Sequence, residues 1–336
     1  RLVHAQRPAR VAEEHSETAY TTNGAIEFLK QHDHAPWCLH LSYIKPHWPY
    51  IAPIPYHQLF RDLELPSAIR SQNELKNPHP IYEALTKIRV SRAFSKNEVR
   101  DRVLPTYLGL VKQLDDHLGR LFQFLEDQGS YDQTLIVFTS DHGYYLGDHW
   151  LGEKDWFHEP SVKIPLIIRD PSPEANCSRS SRSSDLVESI DLIPTFIEAL
   201  GGTFPDHILE GHSLKTLLKN TSSKSIREYA ISEYDYSVAP TSSLLNADPK
   251  KARIYMVTTQ RWKYIHTIGY RPVLFDLQED PMKLNDLGDD AGYLHTARSR
   301  NDQVITDFKI WIKTANEEIN INLEKVIKST LKLAEK

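Results

Sequence analysis

Two Asp-His pairs and a lysine follow an apolar run in the middle of the chain. The stretch TSDHGYYLGDHWLGEK, residues 139–154, has Asp141 and His142 near its start and ends with Lys154. A carboxylate beside an imidazole is a ligand pair that suits Zn²⁺ or Mn²⁺ well and Ca²⁺ less well. A lone Asp-His pair more often caps a turn and faces solvent. Its position directly after an apolar run weakens this alternative, and Asp141 and His142 are candidate metal ligands.

The second pair in this stretch, Asp148 and His149, lies in the same predicted loop. These side chains could also bind a metal, but polar residues within a loop more often brace it by hydrogen bonds. We interpret them as support for the metal site. Lys154 follows in the aromatic-rich segment DHWLGEKDWF, which could hold its ammonium group near a bound phosphate or sulfate. The alternative for Lys154 is a free surface lysine.

A second candidate loop has the sequence YIKPHWPY, residues 43–50. It places Lys45 and His47 on a turn stiffened by prolines. The His47 imidazole could donate to an anionic oxygen or protonate a leaving group. Packing of His47 between Trp48 and the prolines is an equally good interpretation of the spacing.

The elements that must position these loops are predicted by the period of the apolar residues. Helical spacing predicts helices over 17–31 and over about 97–127, and alternation predicts a strand over 37–43. The short apolar runs TLIVF and IPLII are typical of parallel strands buried on both faces. Ligands bind beyond the carboxyl ends of such strands, which is where both loops lie. The predicted fold class is α/β, with a mostly parallel central sheet between helices.

The C-terminal part of the sequence has a different pattern. SIDLIPTFIEALGG, at 189–202, predicts a helix that ends at a glycine pair, and the main domain is expected to close near residue 222. Residues 223–336 then predict a subdomain with a small antiparallel sheet and terminal helices. The main domain would therefore be 1–222, and the subdomain 223–336.

Composition limits the partners of the protein. A formal net charge of −5 without a long basic run argues against nucleic acid, and no stretch is long and apolar enough for a membrane. The two cysteines, Cys38 and Cys177, are too few for a disulfide framework, so a cytoplasmic location is expected. The expected partner is a small molecule. The amphipathic segment 321–336 could pack on a second copy in a homo-oligomer.

An ordered set of motifs between about residues 18 and 290 resembles the sulfatase family of the alkaline phosphatase superfamily, and in particular bacterial phosphonate monoester hydrolases and arylsulfatases. The motifs are KPHWP, LDDHLGRLFQFLEDQG, TLIVFTSDHG, LGDHWLGEK, IPLIIRDP, SIDLIPT and LFDLQEDPMKLNDL. The resemblance implies an α/β sandwich with a small C-terminal sheet. It also implies hydrolysis of a small anionic ester through a metal-bound formylglycine nucleophile and a covalent intermediate.

Carried over by motif, Asp141 and His142 would be ligands of a single divalent metal ion, which could be Mn, Ca, Mg or Zn. His47 and Lys154 would contact the anionic oxygens of the substrate or its leaving group. A cation, a lysine and a histidine all offset the charge that builds on those oxygens during the reaction.

The sequence departs from the family pattern at the nucleophile. It contains no CxPSR or SxPSR segment, which the family places upstream together with one or two further metal-binding aspartates. The chain is therefore expected to be the C-terminal portion of a longer enzyme, to bind metal weakly by itself and to turn over little substrate. Smaller departures are Tyr144, where the family commonly has acidic or small polar residues, and Lys283, where it commonly has an acidic residue. A catalytically inactive protein that kept the fold for binding or structure is the alternative function.

Overall fold

The computed structural model describes residues 2, 5–205, 207–219 and 225–288. By its internal packing the chain divides into a unit of Arg1–Asp286 and a unit of Leu287–Lys336. All the helices and strands named below lie in the first unit. The boundary predicted at residue 222, the terminal helices and the segment 321–336 lie outside the described residues. No helix within the described ranges is both long and apolar enough to cross a membrane.

Eight α-helices and six β-strands are assigned in the described ranges. The helices are α1 (Glu17–Gln31), α2 (Pro80–Lys87), α3 (Arg89–Phe94), α4 (Asn97–Asp127), α5 (Glu159–Val162), α6 (Leu192–Ala199), α7 (Lys215–Lys219) and α8 (Pro240–Leu245). The strands are β1 (Ile136–Thr139), β2 (Leu166–Arg169), β3 (Ala230–Asp235), β4 (Arg253–Thr258), β5 (Trp262–Thr267) and β6 (Val273–Asp276).

The two long helices form where their apolar spacing predicts them. The Ser16 side chain caps α1 by accepting a hydrogen bond from the backbone of Ala19 at 3.2 Å, which satisfies one of the free amides of the first turn. Leu29 of α1 packs with Leu121 and Leu125 of α4 in one buried cluster. The two helices therefore pack against each other through one shared apolar cluster.

The helix predicted over 189–202 is also present. A single 3-10 turn, Ser189–Asp191, leads into α6, which ends at Ala199, shortly before Gly201 with its positive φ of 77°. Pro194 lies in the first turn, where its missing N–H leaves no hydrogen bond unmade.

The pairing of β1 with β2 corrects the prediction of parallel strands. These strands are antiparallel neighbours, with Ile136 opposite Arg169 and Thr139 opposite Leu166, and no parallel pair occurs in the described part of the chain. A parallel pair needs a crossover that returns to the starting edge, usually through a helix. The connection 140–165 instead begins and ends at the same edge, and its helical segments are the 3-10 turn Asp148–Trp150 and the four-residue α5. Both ends of the loop with the candidate site residues are therefore anchored together.

The burial predicted for these strands was also wrong. Ile167 in β2 is 63% exposed and Thr139 at the end of β1 is exposed. The segment 37–43, predicted as a strand from its alternation, has no strand assigned. Alternation reports which side chains face the same way, whereas a strand is defined by its hydrogen-bonded neighbours. The segment still contributes Trp37, Leu39 and Leu41 to the α1–α4 cluster.

The small antiparallel sheet predicted in the C-terminal part is confirmed. Strands β3, β4, β5 and β6 pair in sequence order, each antiparallel to the next. The inner face of this sheet includes Ile254, Met256, Ile265, Val273 and Phe275. These side chains pack with Trp156 and Phe157, which come from the loop between β1 and β2. The largest core cluster thus joins the C-terminal sheet to the candidate site loop.

His79 links α2 to the C-terminal sheet and predicts a pH dependence of stability. Its Nδ1 accepts a hydrogen bond from the backbone of Ile81 at 3.2 Å, and its Nε2 donates to the carbonyl of Arg271 at 2.9 Å. This use of both nitrogens requires the neutral ring. Burial, assisted by the Arg271 charge, lowers the pKa of His79 from 6.5 to about 4.

Since the unfolded chain binds the proton more tightly than the folded one, the His79 contribution is complete above pH 6.5. It is lost as the pH falls towards 4. The shift corresponds to about 3 kcal/mol of unfolding free energy. Urea titrations between pH 7 and pH 4 should show a smaller loss of stability for His79→Asn than for the wild type. The exposed His32 provides the control, His32→Asn, which should retain the wild-type slope. Equal slopes for wild type and His79→Asn would contradict this account.

Candidate active site

Three of the four predicted site residues meet in the loop after β1. The ammonium nitrogen of Lys154 lies 2.5 Å from Nε2 of His142, and the same Nε2 lies 3.2 Å from a carboxylate oxygen of Asp141. The Asp141 side chain is 83% exposed and that of His142 is 20% exposed. The loop therefore presents a carboxylate, an imidazole and an ammonium group together at the protein surface.

The hydrogen bonds of His142 define what its outer nitrogen can do. Nδ1 lies 3.0 Å from the carbonyl of Gly143, so the neutral ring with Nδ1–H donates there and leaves a lone pair on Nε2. Backbone carbonyls fix metal-binding histidines in this way. The Nε2 lone pair and the Asp141 carboxylate are both acceptors, and a nearby cation offsets the repulsion between them. In the structure, that cation is the ammonium group of Lys154.

His47 approaches this cluster through an aromatic neighbour. The ring of Tyr144 makes edge contacts with both His47 and His142, at centroid distances of 5.7 and 5.4 Å. Nδ1 of His47 is bonded to the carbonyl of Trp48 at 2.7 Å, which leaves Nε2 as its other functional nitrogen. The two predicted loops thus converge on Tyr144, whose ring stands between the two imidazoles.

Lys45 shapes the turn that carries His47. Its ammonium group donates to the carbonyls of His47 at 3.2 Å and Pro49 at 3.1 Å. Burial lowers the pKa of Lys45, and the nearby Glu17 opposes this effect. Lys45 therefore stabilises the proline-containing turn by hydrogen bonds to its backbone.

The electrostatic environment agrees with the closeness of the two loops. Burial raises the pKa of Glu153, the neighbouring Asp155 adds to the effect, and electrostatic interactions with His47 and Lys154 partly offset it. The Glu153 carboxyl group thus interacts electrostatically with residues of both loops, 43–50 and 139–154. Burial likewise raises the pKa of Tyr144, with contributions from Glu153 and Asp141, so its phenol remains neutral.

Gly143 is needed for close packing. A Cβ atom at this position would lie 2.0 Å from the carbonyl oxygen of Pro160, far inside van der Waals contact. The Gly143 amide donates to the carbonyl of Ser161 at 2.8 Å, and the Ser161 hydroxyl donates to the carbonyl of Lys154. The absence of a side chain at Gly143 thus admits α5 against the backbone beside Asp141 and His142.

Asp148 and His149 brace the loop, as predicted, but against a distant segment. The backbone amide of Ile69 donates to the Asp148 carboxylate at 2.9 Å, and the amide of His149 donates to the carbonyl of Ile69 at 2.7 Å. Nδ1 of His149 lies 2.7 Å from the Glu74 carboxylate. These bonds hold a turn in which His149 and Trp150 have positive φ angles of 50° and 59°.

Glu74, His149 and His158 form a buried cluster whose nitrogen and oxygen atoms lie within 4.8 Å of one another. The two imidazole rings are stacked, with centroids 3.8 Å apart and planes 13° from parallel. An imidazole lone pair lies in the plane of its ring, so nearly parallel rings direct their lone pairs side by side rather than to one point. We interpret this cluster as a structural support of the 148–150 turn, distinct from the Asp141–His142 pair.

Sequence reasoning missed the residues that support the loop from behind. Glu159 at the start of α5 is bonded to Lys263 of β5 at 2.8 Å and to Lys283 at 2.5 Å. The one signal in the sequence is the lysine in WKYIHT, where the alternation of β5 places position 263 on the buried face. Lys283 was identified as a departure from the family pattern, and the structure gives it an acidic partner.

Comparison with known protein families identifies the relatives of this chain. The family model described as Sulfatase matches residues 5–202, and the model described as N-sulphoglucosamine sulphohydrolase, C-terminal, matches residues 147–308. The multifunctional alkaline phosphatase superfamily protein PehA of Trinickia caryophylli is 33% identical over 310 residues, which cover 87% of this chain and 59% of that protein. Arylsulfatase K of Xenopus laevis is 30% identical over 72% of this chain and 42% of its own length.

Solved structures give the same result. The phosphonate monoester hydrolase of Silicibacter pomeroyi superposes with a TM-score of 0.79 at 27% identity, covering 93% of this chain and 62% of that chain. The corresponding enzyme of Agrobacterium radiobacter gives a TM-score of 0.75 at 26% identity, with coverages of 93% and 63%. The 336 residues thus span about three fifths of the length of PehA and of these two hydrolases. From its family-model match, the identity to its relatives and its α/β sulfatase fold, the chain belongs to the sulfatase family of the alkaline phosphatase superfamily.

Proposed function

We propose that this chain forms the C-terminal portion of a metal-dependent hydrolase of sulfate, phosphonate or phosphate esters. The observation that supports this most strongly is that the Lys154 ammonium group and the Asp141 carboxylate both lie within 3.2 Å of Nε2 of His142. Family membership supports ester hydrolysis as the reaction class, and the cluster supplies the charges that such chemistry requires. The substrate would be a small anionic ester.

Asp141 and His142 are the residues that would hold a divalent metal ion. Two ligands of one ion, each about 2.1 Å from it, lie roughly 3.0–3.4 Å apart, and the observed separation of 3.2 Å between Nε2 and the carboxylate oxygen fits this range. The Nδ1–H donation to Gly143 presents the required lone pair. A metal in this position supplies Lewis-acid activation of the nucleophile and of the ester oxygen. Mn, Ca, Mg and Zn are all compatible with one carboxylate and one imidazole.

Lys154 and His47 would act on the substrate. The Lys154 side chain is long and the residue is exposed, so its ammonium group can leave Nε2 of His142 for the oxygens of a bound sulfate or phosphonate. There it offsets the negative charge that grows as the bond to the leaving group breaks. His47, with Nδ1 fixed by the Trp48 carbonyl, can use Nε2 to bind an ester oxygen or protonate the departing alcohol.

The nucleophile is proposed to be a formylglycine outside these 336 residues. The chain has neither a CxPSR nor an SxPSR segment, and it spans 59% of PehA and 62% of the phosphonate monoester hydrolase of Silicibacter pomeroyi. Additional metal ligands would come from the same outside segment. The chain and that segment would together complete the active site.

This division of ligands predicts weak metal binding by the chain alone. Two protein ligands are fewer than the roughly four to six that divalent ions use, so calorimetric titration with Mn²⁺ should give a Kd of about 0.1 mM or weaker. His142→Asn should abolish the binding, whereas Glu74→Gln, in the buried cluster, should leave it unchanged. Submicromolar binding, or binding lost in Glu74→Gln but kept in His142→Asn, would contradict the assignment.

The function itself is tested on the longer reading frame. Assay of that protein with aryl phosphonate and aryl sulfate esters, before and after removal of metal with a chelator, should show metal-dependent turnover of at least one class. The ratio of the two activities defines the ester preference. An intact CxPSR segment with no turnover of either class would favour the alternative, a catalytically inactive protein with a binding or structural role.

A further inference from the structure

Two buried lysines form ion pairs with the loop that carries Lys154. Lys263 is 1% exposed and Lys283 is 5% exposed, although an ammonium group is among the costliest groups to remove from water. Position 263 lies on the inner face of β5 in line with the buried Ile265. A lysine in such a row is retained only where its charge is compensated.

The compensation comes from one short segment of the candidate site loop. The ammonium group of Lys263 donates to the carbonyl of Phe157 at 2.7 Å and to the Glu159 carboxylate at 2.8 Å. Lys283 binds the other oxygen of that carboxylate at 2.5 Å. Burial by itself would raise the pKa of Glu159, but the two lysines outweigh burial and leave it lowered. Glu159 is therefore an anion held from two sides.

A third contact holds the residue next to Lys154. The hydroxyl of Tyr234 in β3 donates to the Asp155 carboxylate at 2.7 Å. The C-terminal sheet thus forms hydrogen bonds with the loop at residues 155, 157 and 159, immediately after the exposed Lys154. The buried rings of Trp156 and Phe157 fill the space between these contacts.

The contacts continue from Glu159 to the candidate catalytic groups. Glu159 begins α5, which contains Ser161. The Ser161 hydroxyl donates a hydrogen bond to the Lys154 carbonyl, and the Ser161 carbonyl accepts one from the Gly143 amide at 2.8 Å. Gly143 is adjacent to His142. A displacement of α5 would consequently move the backbone of Lys154 and that of the Asp141–His142 turn together.

We propose that Lys263, with Lys283 and Tyr234, is a positioning residue that fixes the Lys154 loop on the C-terminal sheet and so aligns Lys154 with Asp141 and His142. The inference rests on the proposed function for the role of Lys154, but the support of the loop can be measured without it. In proteins that orient groups for reaction, a displacement of about 1 Å costs on the order of 10²-fold in rate.

Hydrogen exchange on the 336-residue chain tests the support. Amides in 154–162 should exchange at least about 10-fold faster in Lys263→Met than in the wild type, whereas amides of α1 should be unchanged. Lys251→Met, at an exposed lysine before β4, is the matched control and should behave as wild type. Wild-type exchange in 154–162 of Lys263→Met would overturn the proposal.

Kinetics on the longer protein test whether the support acts through Lys154. Lys263→Met should lower kcat/KM on the order of 10²-fold by itself. In a Lys154→Met background it should cause less than a further ~2-fold loss, because residues that act through one group are not additive. An equal loss in both backgrounds would refute positioning.

A milder variant keeps the test valid if Lys263→Met does not fold. Tyr234→Phe removes one hydrogen bond and should lower kcat/KM about 10-fold with faster exchange at 154–162, whereas the exposed Tyr229→Phe should do neither. Unchanged exchange and kcat/KM in Tyr234→Phe would count against the proposal. If the wild-type longer protein hydrolyses neither ester class but the exchange results hold, the proposed function is wrong and the support of the loop stands.

Discussion

Lys154→Met is expected to lower kcat/KM of the longer protein about 10²- to 10³-fold, the loss typical of removing one preorganised charge-stabilising donor. The ammonium group lies 2.5 Å from the imidazole that we assign to the metal, and methionine keeps most of its length without the charge. The measurement is steady-state kinetics with the preferred aryl ester. Because Lys154 is exposed, thermal unfolding of the variant should match that of the wild type.

Lys163 in the same loop provides the control for this prediction. It is exposed and follows α5, so Lys163→Met removes a positive charge from the loop without touching the cluster. We expect its kcat/KM to stay within about twofold of wild type, since exposed charges contribute little at a distance. A loss of similar size in both variants would show that the overall charge of the loop matters and that Lys154 has no special role.

Gly143→Ala is expected to destabilise the protein by about 3 kcal/mol or more, because overpacking against rigid backbone cannot relax cheaply. The added methyl group would lie 2.0 Å from the Pro160 carbonyl oxygen. Chemical denaturation of the 336-residue chain measures the effect. The same change should displace α5 from the Asp141–His142 turn, so the longer protein should also lose most of its activity.

Gly24→Ala is the matched control for Gly143→Ala. Gly24 lies within α1, and a Cβ atom added there would have open space around it, with nothing within 4 Å. Alanine there should stabilise the chain by about 0.5–1 kcal/mol through its higher helix propensity. Equal effects of the two substitutions would show that the close approach of Pro160 does not constrain Gly143.

The sequence predicted the helices well because their signals are local. The apolar spacing that builds α1 and α4 is read within one segment, and Gly201 ends α6 by its own conformational freedom. The C-terminal antiparallel sheet was predictable for a similar reason, since its strands pair in sequence order and β4, β5 and β6 are joined by short turns.

The pairing of β1 with β2 could not be predicted in the same way. Apolar runs such as TLIVF define a strand but not its partner, and the direction of pairing depends on where a 26-residue connection, 140–165, returns. The segment 37–43 is the opposite case, because its side chains alternate in type but no strand is assigned to it. Alternation does not report whether a hydrogen-bonded neighbour is present.

For the candidate site, the chemistry of the residues was predictable and their support was not. Asp141, His142 and Lys154 were selected by type and spacing, and the structure brings them together, with His47 reached through Tyr144. Their catalytic and metal-binding roles remain predictions. The grip of Lys263 on Glu159 joins residues 104 positions apart, a long-range pairing that no local pattern reports.

The most direct test of the central claim is the position of the metal in the longer protein, located by the anomalous scattering of Mn²⁺ in its crystals. We predict one peak bonded to the Asp141 carboxylate and to Nε2 of His142, with the Lys154 ammonium group displaced from that nitrogen. A peak at the Glu74, His149 and His158 cluster with none at Asp141 would contradict the account.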